Sequence, residues 1–422
     1  MYEPSNTPAP AVKRILFLFS DTGGGHRAAA EAIIAALRQR YGAAVQCEMV
    51  DVFRDYAPSP FKYAPEVYPV WVNRGRLMWT LSYHMSNRRG QPAAMTFMVR
   101  SIWRKFRRGL SRLFEDHPSD LIVSVHPLFN SLAMASLRRL PQRPPFITVV
   151  TDLVSTHAFW YNRHVERILV PTQPAVDRGL KLGINPDRLR VTGLPVHPDF
   201  ANSLIGKAEA REKLAWDAQL PAILLVGGGA GMGPLFRIAR RINALALPCQ
   251  LVIVAGRNEK LKSKLDKVKW NQPTQIYGFV TNMPELMAAS DILVTKAGPG
   301  TISEACMAGL PLIISDHIPG QEYGNVKYII AHKAGVYARG PRRVARVINK
   351  WLHEPADRLK ERGENAKKLA MPNAVWDIAD ELWQWCQKPP VDQPQKQRSE
   401  TVTRRRFRRF GIRTPRRTTQ GK

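Results

Sequence analysis

The sequence has little cysteine, no long apolar run and, over two stretches, almost no acid. Four cysteines occur in 422 residues (Cys47, Cys249, Cys306 and Cys386). None sits in a CxxC or CxxH spacing, so neither a disulfide framework nor a zinc site is indicated, and a reducing compartment fits. The longest purely apolar runs, such as Ile15 to Phe19 and Ala222 to Val226, fall far short of the ~20 residues of a membrane-spanning helix. Glu3 and scattered prolines precede the first apolar run, which is unlike a secretory signal.

Acidic residues are missing from Val67 to Phe114, where Arg74, Arg76, Arg88, Arg89, Arg100, Arg104, Lys105, Arg107, Arg108 and Arg112 stand unopposed. From Pro394 to Lys422 the only acid is Glu400, against eleven basic residues. These two segments hold most of the formal net charge of +29. Charge so concentrated implies an anionic partner, a phospholipid surface or a nucleic acid. The 44% hydrophobic content supports a sizeable core divided over two or three domains.

Short β-branched runs alternate with helix-patterned segments, which is the pattern of parallel βαβ units. Candidate strands are Lys13 to Ser20, Val45 to Asp51, Leu121 to Val125, Phe146 to Val150, Ile168 to Val170 and Leu189 to Thr192. A second series comprises Ala222 to Val226, Leu251 to Ala255, Gln275 to Tyr277, Ile292 to Thr295 and Leu312 to Ser315. The reading is α/β, with two doubly wound domains facing across a cleft. Domains are expected at 12–198 and 199–372, with a terminal helix at 373–388 and a basic disordered tail at 389–422. Open α/β sheets bind ligands beyond the carboxyl ends of their strands, so the strand ends are the places to examine.

The first strand enters SDTGGGHRAAAEAI (Ser20 to Ile33). Its glycines, Gly24 and Gly25 among them, allow close ligand approach, and His26 stands at the mouth of a helix as a candidate proton acceptor, with Asp21 near enough in sequence to orient it. The same residues satisfy GxGxxA through Gly23, Gly25 and Ala28, with Asp51 where a ribose-binding acid belongs, so a dinucleotide-dependent oxidoreductase stays open. His26 serving only to cap or pack the turn stays open too.

In the second series GGGAGMG (Gly227 to Gly233) makes a phosphate-facing loop through Gly228 and Gly229, or else a flexible turn. TKAGPGTISEACMAGLP (Thr295 to Pro311) ends a strand, turns on Gly298 and Gly300 and starts a helix near Thr301 whose first amides favour a diphosphate. Glu304 offers two oxygens to a ribose, or is simply a favourable first-turn carboxylate. SDHIPGQEYGN (Ser315 to Asn325) brings Gln321, Glu322 and Asn325 to a strand end, suited to sugar hydroxyls or to a solvated turn. Phe279 and Val280 offer backbone to a flat base edge.

Taken together, SDTGGGHRAAAEAI, VHPLFN, TDLVSTHAFWY, GFVTNM, TKAGPGTISEA and PGQEYGN resemble the monogalactosyldiacylglycerol synthase family and the related processive diacylglycerol glycosyltransferases, over about Lys13 to Cys386. The resemblance implies a GT-B fold and an inverting transfer of galactose or glucose from a UDP-sugar to diacylglycerol. It implies His26 as general base, Glu304 on the ribose, Gln321 and Glu322 on the sugar, and the acceptor near Gly24 and Gly25. No cofactor and no catalytic metal are expected, and the chain has no DxD triplet. A membrane acceptor requires docking. The apolar positions Met95, Met98, Val99, Ile102, Trp103, Phe106, Leu110 and Leu113 recur at helical spacing beside Arg104 and Arg107. Trp71, Trp79 and Tyr83 are further candidate anchors, and a solvated, core-packed helix is the other reading of the same stripe. TRRRFRRFGIR (Thr403 to Arg413) would also suit RNA or DNA. An anionic membrane surface is the expected partner, with no nucleic acid, and the expected location is peripheral, on the cytoplasmic side of the cell membrane.

Overall fold

The computed structural model describes residues 12–22, 24–68, 75–87, 93–229 and 231–392, and of residues 76 and 93–103 the backbone alone. Gly23, Trp71, the side chain of Trp103 and the tail from 393 onward lie outside the described residues.

The first series forms strands β1 (Lys13–Phe19), β2 (Val45–Asp51), β3 (Leu121–Ser124), β4 (Gln142–Arg143), β5 (Phe146–Val149), β6 (Arg167–Val170) and β7 (Leu189–Val191). All but β4 join one parallel sheet in the order β2-β1-β3-β5-β6-β7. The second series gives β8 (Ala222–Val226), β9 (Gln250–Val254), β10 (Thr274–Tyr277), β11 (Ile292–Lys296), β12 (Leu312–Asp316) and β13 (Gly335–Tyr337). Their order, β10-β9-β8-β11-β12-β13, is the doubly wound arrangement of dinucleotide-binding sheets. Central strands such as β3, β5, β8 and β9 are buried along their whole length, because helices cover both faces of each sheet. In both sheets the order reverses beside the first strand, at β1/β3 and at β8/β11. Those two switch points open the crevices where ligands sit.

The chain returns at its end to the first sheet. Helix Ala374–Cys386 buries Val375, Ile378, Ala379 and Leu382 against Ile33, Leu37 and the apolar side chains of β1. The Tyr41 hydroxyl donates to Asp380 at 2.6 Å, and its ring stacks on Trp383 with centroids 4.3 Å apart. Glu381, buried in the same helix, accepts from Arg167 at 2.9 Å and also pairs with Arg190. Residues 391–392 form β14 (Val391–Asp392), antiparallel to β4, so the segment read as tail from 389 begins with ordered chain.

Two expectations are corrected. Helix Ala93–Asp116 turns Phe106, Leu110 and Leu113 into the core, and Phe106 is 1% exposed against Phe53 and Phe61. Phe106 is therefore a packing residue and not a membrane contact, whereas Arg104 and Arg107 on the same helix are exposed. Tyr83 is likewise buried, its ring against Gly320 and its hydroxyl donating to the Ser155 carbonyl at 3.1 Å, so it is no interfacial anchor. Apolar spacing on a helix has the same period whichever surface the stripe meets.

Candidate active site

At the first switch point the chain leaves β1 and turns through Gly24, whose φ of 82° only glycine adopts without strain, into helix Gly25–Tyr41. This aims His26 across the end of β3 and β5. His26 Nδ1 lies 2.8 Å from Thr151 Oγ1. The ring also stands edge-on to His126, with centroids 4.6 Å apart, and within 6.0 Å of Trp160. Burial among these neighbours lowers the His26 pKa to about 4, against a hydrogen bond to the Val125 carbonyl that works the other way. His126 is also held neutral, chiefly by burial and then by His26 beside it. It caps helix Pro127–Leu137 through Nδ1 and meets Thr22 Oγ1 at 3.2 Å through Nε2, tying the glycine turn to β3.

Asp21 does not orient His26; it pairs with Arg27 at 3.2 Å, and Thr151 takes the place beside the imidazole. Asp51 caps helix Val52–Tyr56 by accepting from the amides of Phe53 and Arg54, and its second oxygen takes the Asp21 amide. A carboxylate engaged in this way is not available to a ribose. The dinucleotide reading of the first turn therefore loses its acidic partner.

At the second switch point the Gly227 loop closes on itself. The amide of Gly231 bonds to Gly228 and that of Met232 to Gly227, leaving Gly228 and Gly229 at the tip. Across from it, helix Pro299–Met307 begins at Gly298 with no side-chain cap, and the amides of Gly300 and Thr301 have no helical partner. Lys296, at the end of β11, lies between the two turns: its side chain passes against Gly298 and within about 4 Å of the space beside Gly228. It pairs with buried Glu322 at 2.6 Å. Glu304 lies one turn into the helix with no hydrogen bond to its carboxylate among the described residues, and burial pushes its pKa up to about 7. Phe279 is 55% exposed with the Arg257 guanidinium 4.4 Å over its ring, and Val280 follows it, half-buried.

The two halves meet where the PGQEYGN loop faces residues 151–155. Gln321 Nε2 donates to Asp152 at 3.0 Å, and its Oε1 accepts from the Tyr68 hydroxyl at 3.3 Å. The Gly324 amide donates to Ser155 Oγ at 2.9 Å. Asn325 accepts from the Val154 amide at 3.2 Å and donates to the Ala297 carbonyl at 2.9 Å. Asn325 is 1% exposed with both ends of its amide on backbone, so the structure makes it a joint between the halves and not a free hydroxyl ligand. Glu322 is similarly engaged, by Lys296 and by the Ile318 amide, and positions the lysine. Asp152 is buried with Trp160 Nε1 donating at 2.7 Å. Burial raises its pKa to about 6 against the bonds from Trp160 and Gln321.

The arrangement thus joins His26 to the PGQEYGN loop through consecutive residues, Thr151 on the imidazole and Asp152 on Gln321. Thr151, Asp152, His126 and Tyr68 are not distinguished by the sequence reading. Lys296 lies in plain view inside TKAGPGT, where a basic residue ahead of a glycine turn and a helix start is the available signal.

Comparison with known proteins identifies the family and the fold. The model of the monogalactosyldiacylglycerol (MGDG) synthase family matches residues 26–196, and that of the glycosyltransferase family 28 C-terminal domain matches residues 222–380. The monogalactosyldiacylglycerol synthase of Spinacia oleracea is 41% identical over 394 residues, 90% of this chain and 74% of that one. Monogalactosyldiacylglycerol synthase 1 of Arabidopsis thaliana is 38% identical over 390 residues, 89% and 72% of the two chains. Both relatives are named as chloroplastic. In structure the chain is similar to Acinetobacter baumannii MurG, with a TM-score of 0.59 at 16% identity over 88% of this chain and 99% of that one. It is also similar to WaaG, a glycosyltransferase involved in lipopolysaccharide biosynthesis, with a TM-score of 0.53 at 15% identity over 87% and 99%. With plant relatives near 40% identity along most of both sequences and two sheets arranged as in GT-B glycosyltransferases, the chain belongs to the monogalactosyldiacylglycerol synthase family.

Proposed function

We propose that the protein transfers a hexose from a UDP-sugar to the free hydroxyl of diacylglycerol with inversion at the anomeric carbon, and that His26 is the general base. Galactose is the hexose carried in the relatives' names. The observation that carries the reading is the junction just described: an imidazole held neutral, tied through Thr151 and Asp152 to a glutamine on the nucleotide side of the cleft. In this mechanism the unprotonated ring nitrogen of His26 takes the acceptor proton as the oxygen attacks C1 from the face opposite the leaving group. The bond from C1 to the β-phosphate oxygen breaks, and UDP departs with the electron pair. The uncapped helix start at Gly300 and Thr301, the Gly228 and Gly229 tip and Lys296 stabilise the diphosphate. Glu304 accepts the ribose hydroxyls, the backbone at Phe279 and Val280 meets the base, and Gln321 meets the hexose.

The acceptor enters from a bilayer. Helix Arg76–Ser86 supports this: Leu77 is 83% exposed, and Met78, Leu81 and Met85 are exposed beside it. Its other side is pinned at the rim of the cleft, by Tyr83 on Ser155 and by Ser86 Oγ at 3.0 Å from His157 Nε2. Four aliphatic side chains directed outward at the mouth of a site suit insertion among acyl chains. Exposed Arg104, Lys105, Arg107, Arg108 and Arg112 suit an anionic leaflet. Among the described residues no helix is long and apolar enough to cross a membrane. The reading is of a peripheral enzyme on the cytoplasmic face of the cell membrane. Purified protein incubated with diacylglycerol vesicles and each labelled UDP-hexose tests it. A β-linked monohexosyl lipid from one donor is expected, and no product from any donor overturns the reading.

A further inference from the structure

Gln321 has a resting partner that competes with a sugar. Its amide is satisfied at both ends by the opposite half of the molecule, Nε2 by Asp152 at 3.0 Å and Oε1 by the Tyr68 hydroxyl at 3.3 Å. Neither partner is free to drift. Asp152 is buried and fixed from behind by Trp160 Nε1 at 2.7 Å, and the Tyr68 ring stands edge-on to Trp79 with centroids 5.4 Å apart. Neighbouring contacts, Gly324 on Ser155 and Asn325 on Val154, hold the two loops in register. An amide has two donor hydrogens and an oxygen with two lone pairs; the two bonds commit one of each and fix the plane of the Gln321 amide against the opposite half, so a hexose hydroxyl that needs the amide turned toward it must first release them.

We propose that Asp152 and Tyr68 are positioning residues that set donor affinity from the acceptor half: they hold Gln321 in a bridge that the hexose of a nucleotide sugar must displace. The inference rests on Gln321 meeting the hexose. A ligand that binds only a fraction of the molecules has its apparent affinity lowered by that fraction. The bridge therefore weakens binding of the sugar-bearing nucleotide and leaves the bare nucleotide unaffected. It also links donor capture to the loop that holds His26, because Thr151 and Asp152 are adjacent residues.

Calorimetric titration of the full chain with UDP and with UDP-galactose tests this, comparing wild type with Tyr68→Phe, Asp152→Asn and the double variant. Tyr68→Phe removes a single oxygen and keeps the ring packing. The expected result is a three- to tenfold tighter UDP-galactose Kd in Tyr68→Phe and in Asp152→Asn, with the UDP Kd within twofold of wild type. Weaker UDP-galactose binding at constant UDP affinity would make these residues direct sugar ligands and overturn the proposal. Unchanged affinities, or equal losses for both nucleotides, overturn it as well. Failure of the wild-type chain to bind UDP at all would instead strike the donor reading, so the two failures are distinguishable.

Discussion

If His26 is the base, its environment fixes the acid limb of the pH–rate profile. Burial lowers its pKa from an ordinary 6.5 to about 4, a preference for the neutral ring of roughly 3 kcal/mol at ~1.4 kcal/mol per unit. The active form is the unprotonated one, so activity is retained above the pKa and lost as the pH falls through it. The kcat/KM profile reports the free enzyme and should stay level from pH 8 down to about 5 before declining tenfold per unit. The kcat profile reports the loaded enzyme, in which the diphosphate adds negative charge to the cleft. One such charge at about 8 Å with an effective dielectric of ~20 contributes about 2 kcal/mol, enough to raise the imidazole by ~1.5 units. The kcat limb should therefore fall between pH 5 and 6, above the limb of kcat/KM. Initial rates of labelled hexose transfer into lipid, measured across donor concentrations in constant-ionic-strength buffers, give both profiles. Replacing His26 by Ala should reduce kcat by ~10²–10⁴ while UDP still binds. A kcat/KM limb at 6.5, or an alanine variant within tenfold of wild type, would refute the assignment.

Lys296→Ala removes the cation between the glycine turns and leaves buried Glu322 without its counter-ion, held only by the Ile318 amide. A charged contact of about 1.5–3 kcal/mol translates into a UDP Kd roughly 10–100-fold weaker by calorimetry. Leu77→Glu with Leu81→Glu should abolish co-sedimentation with vesicles of anionic lipid and diacylglycerol while UDP affinity stays normal. Phe106→Ala should cost about 3–5 kcal/mol in urea denaturation, and its folded fraction should still bind vesicles; lost binding at full stability would restore Phe106 to the membrane surface. Stability should also fall between pH 6.5 and 5. Native His26, His126 and His157, with lowered pKa values, refuse protons that the unfolded chain accepts below 6.5. Glu304 and Asp152, raised to about 7 and 6, take up protons in the native state first and oppose that loss. The difference is about one proton, or ~1.4 kcal/mol per pH unit, visible as a falling urea midpoint; a rising midpoint would contradict the assigned directions.

The two sheets were legible because fully buried parallel strands appear as unbroken apolar runs closed by glycine turns, as at Ile15 to Phe19 and Ala222 to Val226. β13 and β4 escaped because three or two residues carry no period, and β13 opens on Gly335. Glycine turns and helix starts leave their own mark in a sequence, so the turn at Gly228 and the helix start at Gly298 and Thr301 could be located in advance. What the side chains grip across the cleft was hidden, since Asp152 and Gln321 are 169 residues apart and local patterning does not encode their pairing. The stripe of helix Ala93–Asp116 was visible while the surface it meets was not. The outward apolar face of helix Arg76–Ser86 was concealed by the mixed, arginine-rich composition of residues 67–114.

The closing helix ties an early part of the chain to one made much later. Tyr41 and Asp380 are separated by 339 positions, and translation at ~5–20 residues per second puts roughly 20–70 s between the emergence of one and the arrival of the other. Throughout that interval Ile33, Leu37 and their neighbours are without their lid, and for its second half they stand on a nascent chain whose first sheet, ending at Val191, is already made. A ribosome stalled before codon 374 would release a sticky half-product, and separating the two sheets onto different polypeptides would require the helix to travel with the first.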